Sequence, residues 1–403
     1  MLSTRRRFLA GAVAAPVALA APGLALATVP GDKRFVFIVL RGAMDGLHAV
    51  VPIGDPDYAA ARGGLAMPRD KLIMLDQFYG FHPALAALAP LWHDREVLVI
   101  HAVASPYRDR SHFAGQDVLE NGGTSPHLPA DGWANRVLHE LNAGRAAGLA
   151  ISQGVPLALR GAVPVTSWTP APMPGMSTEM IERLKALYAG DGELTMALEE
   201  GVQGEDFVAM TLSGDAMGGH AADGAGAGAK KYGQFAKLAA ATGKLLAASG
   251  GPRVAVMEVL GWDTHIGQGL ERGRMADVLT QLGEGIGAMR EALGPAWRNT
   301  VIVTGSEFGR TVAMNGTNGS DHGTATAVFI AGGAVAGGRV VANWPGLAHD
   351  RLYQARDLAP TTDLRAVLKG LLRQHLLVSD VELAKAVFPN SANVPPMTGL
   401  VRA

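Results

Sequence analysis

Short apolar runs alternate with longer amphipathic stretches along most of this chain. The apolar runs have the length of buried strands and end at polar or glycine residues: 35–40, 97–100, 149–151, 254–259, 301–303 and 328–330. Hydrophobic residues recur at helical spacing near five further ranges: 82–93, 112–121, 132–143, 275–293 and 362–376. This alternation predicts the α/β class, with a doubly wound, mainly parallel sheet sandwiched by helices.

We expect one α/β domain over residues 33–380, followed by a C-terminal tail at 381–403. Residues 155–245 are less regular, with a proline-rich stretch at 166–174 and a glycine- and alanine-rich stretch at 214–228. The second stretch predicts a flexible surface loop, because such a composition neither packs nor fixes the backbone. We therefore interpret 155–245 as a cap or insertion over the sheet.

The N-terminal residues 1–27 have the order of an export signal. Thr4–Leu9 contains consecutive arginines, an apolar alanine-rich run follows, and Ala25–Ala27 supplies a small-x-small cleavage site. This order predicts a twin-arginine signal peptide, passage through the twin-arginine translocase, and a periplasmic or secreted mature protein. An uncleaved anchor is disfavoured by Pro16 and Pro22. No later apolar run reaches the roughly 20 residues of a stable membrane span.

The amino-acid composition excludes several kinds of functional site. The 403 residues are 48% hydrophobic, which is enough for a large core. Basic and acidic residues nearly cancel, 35 against 36, so no basic surface for nucleic acid is expected. The chain has no cysteine, which excludes disulfides, thiolate metal sites and cysteine nucleophiles. Any metal must be held by oxygen and nitrogen ligands.

Acidic residues and histidines stand just after, or just before, the predicted strands. The candidate metal ligands are Asp45, His112, Asp263, His265, Glu307, Asp321 and His322. Because parallel strands gather their carboxyl ends at one edge of a sheet, these residues can converge on one cleft. Asp45-Gly46 and Asp263-Thr264 also fit ordinary turns, so a structural interpretation of each stays open. As a set, the residues favour a metallohydrolase over a binding module.

Ser111 stands where the helix after the strand at 97–100 is expected to begin. A serine in this position ordinarily caps the helix. Beside Arg108 and Arg110 its hydroxyl is also placed to act as a nucleophile, because helix N–H groups and guanidinium groups would stabilise an anionic ester. Both interpretations are open.

Together these features resemble one protein family. The twin-arginine leader is followed by similar stretches over most of residues 33–380: 41–47, 111–113, 261–265, 306–311, 320–323, 338–340 and 344–347. They are similar to the exported, sulfatase-like domain-of-unknown-function family 1501. That family is placed in the alkaline phosphatase and sulfatase superfamily. The resemblance therefore implies an α/β/α sandwich and a metal-assisted attack on phosphate or sulfate esters.

The resemblance also implies roles for individual residues. In chain order it gives a first metal-binding acid at Asp45, a nucleophile at Ser111, an Asp–His pair at Asp263 and His265, a late acid at Glu307 and a last histidine at His322.

Three departures from the superfamily pattern affect this assignment. Phe308 replaces a late histidine, so a one-metal site is expected unless His112 fills the gap. The pair Asp263–His265 is closer in sequence than the usual pair. Ala104 stands where sulfatases carry the residue that is oxidised to formylglycine, so formylglycine chemistry is not supported.

The expected function is metal-dependent hydrolysis of phosphate or sulfate esters. The nucleophile is Ser111 or a metal-bound water, with Ser105 as the second serine candidate. Arg108, Arg110 or Arg310 would hold the non-reacting oxygens. The metal is a divalent cation, with zinc favoured, manganese next, and calcium or magnesium if the histidines are spectators.

The expected substrate is a small anionic ester or a sulfated glycan. The alternative is a catalytically inactive sulfatase-like protein that binds anionic glycans, suggested by Phe308 and Ala104. Metal content separates the two, because an enzyme should retain at least one divalent ion. A metal-free serine hydrolase is disfavoured, since the chain has no G-x-S-x-G motif.

Overall fold

The computed structural model describes residues 32–143, 147–152, 154–169, 178–212 and 229–402. The predicted signal peptide at 1–27 and the glycine-rich stretch at 214–228 lie outside these residues. The strands are β1 Arg34–Arg41, β2 Val50–Val51, β3 Ile73–Met74, β4 Gly80–Phe81, β5 Val97–Ala104, β6 Gly148–Ile151, β7 Thr166–Trp168, β8 Val254–Leu260, β9 Thr300–Gly305, β10 Thr326–Ala331, β11 Arg339–Val341 and β12 Thr362–Asp363.

The helices account for most of the predicted amphipathic stretches. They are α1 Gly46–Ala49, α2 Tyr58–Arg62, α3 Ala89–His93, α4 His112–Asn121, α5 Trp133–Glu140, α6 Thr178–Tyr188, α7 Gly192–Leu212, α8 Ala229–Ala247, α9 Arg274–Leu293, α10 Leu364–Leu376 and α11 Asp380–Glu382. The helix expected near 82–93 is a 3-10 segment, Pro83–Leu88, followed by α3. Pro90 lacks an amide donor, which favours this interruption. None of the described helices is long and apolar enough to cross a bilayer.

The main sheet has the order β11-β5-β10-β9-β1-β8-β6-β7, with β12 also paired to β5. Its pairings are parallel except the two that β10 makes with β5 and β9. The first residue of β10 therefore lies at the same edge as the carboxyl ends of its neighbours. The predicted doubly wound, mainly parallel sheet is confirmed.

Two hydrophobic cores cover the two faces of the sheet. In β1 side chains alternate between them: Val36 and Ile38 pack with α9, whereas Phe35 and Phe37 pack with α5 and α10. This alternation follows from the period of two of a strand. Burying each such side chain stabilises the fold by about 1.5–3 kcal/mol, so β1 is held firmly from both sides.

Two segments differ from what the pattern alone indicated. The region expected to be less regular, 155–245, contains β7, which extends the sheet at β6, and helices α6 to α8. Its action as a cap stays a prediction. The expected tail, 381–402, places Phe388 and Leu400 in the same core as α10, because these apolar side chains cover the outer surface of that helix layer.

Candidate functional site

Four loops meet at the carboxyl edge of the sheet: those after β1, β5 and β8, and the one that connects β9 to β10. Gly42 has φ +120°, and a Cβ there would lie 2.5 Å from the amide nitrogen of Asp263. A Cβ on Gly319 would lie 2.2 Å from the carbonyl oxygen of His265. Only glycine permits backbones to approach so closely. The loops that carry the predicted site residues are therefore packed directly against one another.

Three of the predicted ligands form a compact cluster. One potential ligand atom from each of His112, Asp263 and His322 lies within 4.8 Å of the other two. Nε2 of His112 is 3.6 Å from Oδ2 of Asp263, and Nε2 of His322 is 3.8 Å from Oδ1. These separations are longer than hydrogen bonds and leave room for an ion between the atoms.

The far nitrogen of each histidine ring fixes its tautomer. Nδ1 of His112 donates to Oε1 of Glu307 at 2.7 Å, and Nδ1 of His322 donates to the carbonyl of Arg110 at 2.9 Å. Because a carbonyl or carboxylate oxygen accepts, each neutral imidazole presents a lone pair at Nε2. Both Nε2 atoms are buried and have no hydrogen-bond partner among the described residues. This is the arrangement that metal-binding histidines adopt.

Glu307 is fully buried behind His112. It accepts hydrogen bonds from His112, from the amide of Gly42 at 2.9 Å, from Gln116 at 3.2 Å and from the hydroxyl of Ser306 at 3.1 Å. Burial alone would raise the pKa of Glu307, but the bonds from His112, Gln116 and Gly42 help to lower it below its ordinary value. Glu307 thus remains a carboxylate, and its bond raises the pKa of His112.

His265 and Arg310 adjoin the cluster on its other side. His265 donates from Nδ1 to Asp321 at 3.0 Å, and Asn315 holds the same Asp321 oxygen at 2.9 Å. Arg310 is buried and donates to Asp263 at 2.8 Å. Burial would raise the pKa of Asp263, but the charge of Arg310 lowers it. Asp321 therefore positions His265, while Arg310 keeps Asp263 ionised.

Asp45 lies at the same edge but has other partners. Its Oδ2 accepts from Arg62 at 2.6 Å and from Gln268 at 2.8 Å, and its Oδ1 accepts from the amide of His48 at 3.1 Å. Arg62 and Asp45 are both fully buried. Burial would raise the pKa of Asp45, but the Arg62 charge lowers it. The structure does not bring Asp45 into the His112 cluster, and its role as a ligand stays a prediction.

The predicted nucleophile and arginines occupy different environments. Ser111 is exposed at the N-terminus of α4, and its side chain makes no capping hydrogen bond to the described backbone. Arg108 donates to neighbouring backbone carbonyls, including that of Ser105, and Arg110 pairs with the buried Asp357. The hydroxyl of Ser105 is buried and directed at the carbonyl of Glu307, 3.5 Å away. Of the two serines, Ser111 is the exposed one.

Phe308 packs against the histidines of the cluster. Its ring centroid is 5.0 Å from that of His112 and 5.1 Å from that of His322. The side chain is buried. It forms an apolar wall that supports both imidazoles where the resemblance implies another histidine.

Sequence reasoning missed three polar residues that hold the site together. Gln116 lies one turn after His112 on α4, so helical spacing could have identified it as a neighbour of the same carboxylate. Arg62 and Gln268 carry no such signal. They meet Asp45 from positions 17 and 223 residues away along the chain.

Comparison with solved structures finds distant likenesses. Phosphonate monoester hydrolase of Agrobacterium radiobacter is 13% identical, with 86% of this chain and 74% of that one covered and a TM-score of 0.41. The zinc complex of the C-terminal periplasmic domain of EcEptC from Escherichia coli is 11% identical, with 76% and 75% covered and a TM-score of 0.32. Ps i-CgsB in complex with k-i-k-neocarrahexaose is 11% identical, with 74% and 65% covered and a TM-score of 0.37.

Comparison with curated proteins yields no match. A family model does match, over residues 98–385, which is well over half of the chain and includes His112, Asp263, Glu307 and His322. The predicted resemblance is confirmed: the chain belongs to the family described as protein of unknown function DUF1501.

Proposed function

We propose that this protein is a divalent-metal-dependent hydrolase of anionic esters, with phosphate or sulfate as the reacting group. The observation that carries the proposal is the pair of buried Nε2 atoms, on His112 and His322, that face Asp263 without a partner among the described residues. An unsatisfied buried polar atom is costly. A cation between two imidazoles and a carboxylate would satisfy all three groups.

The donor set selects the kind of metal. Two imidazole nitrogens and one carboxylate oxygen suit zinc, with manganese as the next candidate. Three protein ligands leave a coordination position open, as in catalytic sites. A bound divalent cation would polarise the ester oxygen and lower the pKa of a coordinated nucleophile.

The surrounding residues prepare this site. Glu307 and the Arg110 carbonyl hold the imidazole rings in the tautomer that a metal needs. The buried charge of Arg310 adds positive potential beside Asp263, which favours an anionic substrate. Ser111 is exposed at the start of α4, and it is our candidate nucleophile, with water as the alternative.

Metal content and turnover test the proposal together. Protein purified without added metal should contain at least one divalent ion per chain by elemental analysis, and it should hydrolyse a member of a panel of phosphate monoesters, phosphodiesters and sulfate esters. His322→Ala should lose both properties. His139→Ala is the matched control, because His139 is an exposed histidine on α5. A folded protein that binds no stoichiometric metal would instead favour an inactive glycan-binding protein.

We also propose export by the twin-arginine route. The pattern Thr4-Arg5-Arg6-Arg7-Phe8-Leu9 before an apolar run supports it. Changing Arg5 and Arg6 together to lysine should leave the precursor in the cytoplasm. Arg7→Lys is the matched control and should be exported normally. Equal periplasmic yield from both variants would contradict the assignment.

A further inference from the structure

A fully buried glutamine lies behind the proposed metal centre. Gln268 follows β8, and its Oε1 accepts hydrogen bonds from Thr264 at 3.0 Å and from Ser320 at 2.6 Å. Thr264 stands between Asp263 and His265 in sequence, and Ser320 is two residues before His322. A single oxygen atom therefore joins the two loops that carry Asp263 and His322.

The other end of the same side chain is anchored to the loop after β1. Nε2 of Gln268 donates to Oδ2 of Asp45 at 2.8 Å. Arg62 pairs with that carboxylate and donates to the carbonyls of Thr311, at 3.3 Å, and Val312, at 2.9 Å. The loop after β9 is thus tied to the same carboxylate. The network therefore connects three loops: those after β1 and β8, and the one between β9 and β10.

Two further bonds join these loops, one between buried residues and one from the partly exposed Asn315. The amide of Ser320 donates to the carbonyl of Thr264 at 3.2 Å, and Asn315 donates to the carbonyl of His265 at 2.9 Å. Asn315 is partly exposed, so water can replace its bond. The Gln268 bonds are buried, where a lost hydrogen bond leaves its partner unsatisfied.

We propose that Gln268 is a positioning residue that sets the separation of Asp263 and His322, with Asp45 as its anchor rather than as a metal ligand. The inference rests on the proposed metal centre. Removal of the Gln268 amide would leave the Thr264 and Ser320 hydroxyls without their acceptor, and it would weaken the buried link between the two loops, which keeps the backbone bond from Ser320 to Thr264. The ligands would then no longer be held at the spacing that one ion requires.

Cobalt binding measures this effect without reference to turnover. Full-length protein is freed of metal with a chelator, and each variant is titrated with Co²⁺ while its visible absorption is recorded. Loss of a group bonded directly to a metal ligand typically weakens metal binding by roughly 10–100-fold. Gln268 acts one residue further out, so Gln268→Ala should show a loss at the lower end of that range, about tenfold, and an altered Co²⁺ spectrum, because the geometry of the ligands changes.

Two further variants keep the experiment interpretable. Thr264→Val removes one of the two hydroxyl bonds with little change of shape and should weaken Co²⁺ binding less than Gln268→Ala does. Gln374→Ala is the matched control, since Gln374 also joins chain segments, through the carbonyl of Met397 and the amide of Leu400, but lies on α10. It should lower the melting temperature and leave Co²⁺ affinity and spectrum unchanged.

The outcomes separate this inference from the proposed function. A wild-type protein that binds no Co²⁺ would overturn the proposed metal centre, and the role of Gln268 with it. A wild-type protein that binds Co²⁺, with folded Gln268→Ala and Thr264→Val binding it equally well and with the same spectrum, would overturn the inference alone. Weaker binding in both variants but not in Gln374→Ala would support it.

Discussion

Asp45 and Asp263 follow neighbouring parallel strands, β1 and β8, yet their surroundings are opposite. Asp45 is 1% exposed, and both its oxygens already accept hydrogen bonds from Arg62, Gln268 and a backbone amide. The Asp263 side chain is 46% exposed and faces two imidazole nitrogens that have no hydrogen-bond partner among the described residues. Whether a carboxylate is free to bind a metal therefore depends on the hydrogen-bond partners that it already has, and not only on its place at the edge of the sheet.

Both carboxylates are paired with a buried arginine, so charge alone does not distinguish them. The pKa of each is lowered, because the nearby guanidinium outweighs the effect of burial. The difference lies in the remaining groups. Around Asp45 these groups satisfy one another, whereas around Asp263 they converge on a point that a cation would occupy. The groups around Asp45 are arranged as a structural anchor, whereas those around Asp263 are arranged as a binding site would be.

The largest loss of stability should come from a change at Asp45, which removes its ion pair with Arg62. Asp45→Asn removes the charge that balances the fully buried Arg62, and loss of one partner of a buried ion pair typically costs about 3–5 kcal/mol. Urea unfolding of metal-free protein measures this loss. Asp263→Asn should lose less, because solvent reaches that carboxylate. Equal losses in the two variants would contradict the contrast between the regions.

Metal affinity, in contrast to stability, should depend more on the residues of the cluster than on Asp45. His322→Ala removes a proposed ligand and should weaken binding by more than the roughly 100-fold upper range for outer-shell partners. Folded Asp45→Asn should stay within the roughly 10–100-fold outer-shell range, since its side chain keeps its place in the network. Titration of chelator-treated protein measures both. Abolished binding in folded Asp45→Asn would make Asp45 a ligand, as the resemblance implies.

Acidity should weaken metal binding through His112. The bond to Glu307 raises the pKa of His112 above 6.5, and a metal needs the unprotonated Nε2. Affinity should thus fall about tenfold for each pH unit below that raised pKa. The stability of the metal-free protein should change with pH in the opposite direction. Protonated His112 stabilises the folded protein fully below pH 6.5, the ordinary pKa of histidine, and this contribution is lost as the pH rises through the raised pKa.

Glu307→Gln tests the cause of this pH dependence. Without the carboxylate, the pKa of His112 should return toward its ordinary value, so both transitions should move to lower pH. The Gln side chain keeps an oxygen that can accept from Gly42. Calorimetric titration with metal across pH 5 to 8, roughly the range in which histidine titrates, would reveal the shift. An unchanged midpoint would mean that Glu307 does not control His112.

The location of the site residues at the carboxyl edge of the sheet was predictable, because the strand pattern determines where each loop leaves the sheet. The apolar runs ending at Leu40, Val259 and Val303 placed Asp45, Asp263 and Glu307 correctly at its carboxyl side. Side-chain partners were not predictable in the same way. They depend on tertiary contacts between distant segments, which leave no periodic signal in the sequence.

Asp45 illustrates this limit. Its position after β1 predicted a ligand, but its actual neighbours come from α2 and from the loop after β8. Arg62 lies in a short helix with no role in the strand pattern, and Gln268 lies in an irregular loop. Similarly, the start of α4 was predicted correctly, whereas the absence of a capping bond from Ser111 to the described backbone depends on a rotamer that sequence does not specify.

The smallest change in stability should come from Ser111→Ala. A serine that caps a helix contributes typically about 1 kcal/mol, but the Ser111 hydroxyl makes no capping bond to the described backbone. We therefore expect a loss well below about 1 kcal/mol in urea unfolding, and no change in metal affinity.

If Ser111 is the nucleophile, hydrolysis of the best substrate in the panel should nevertheless be abolished in this folded, metal-loaded variant. Ser105→Ala is the matched control, and its buried hydroxyl predicts retained turnover. Near wild-type hydrolysis by Ser111→Ala would eliminate Ser111 as the nucleophile, and retained turnover in Ser105→Ala as well would leave water as the attacking group.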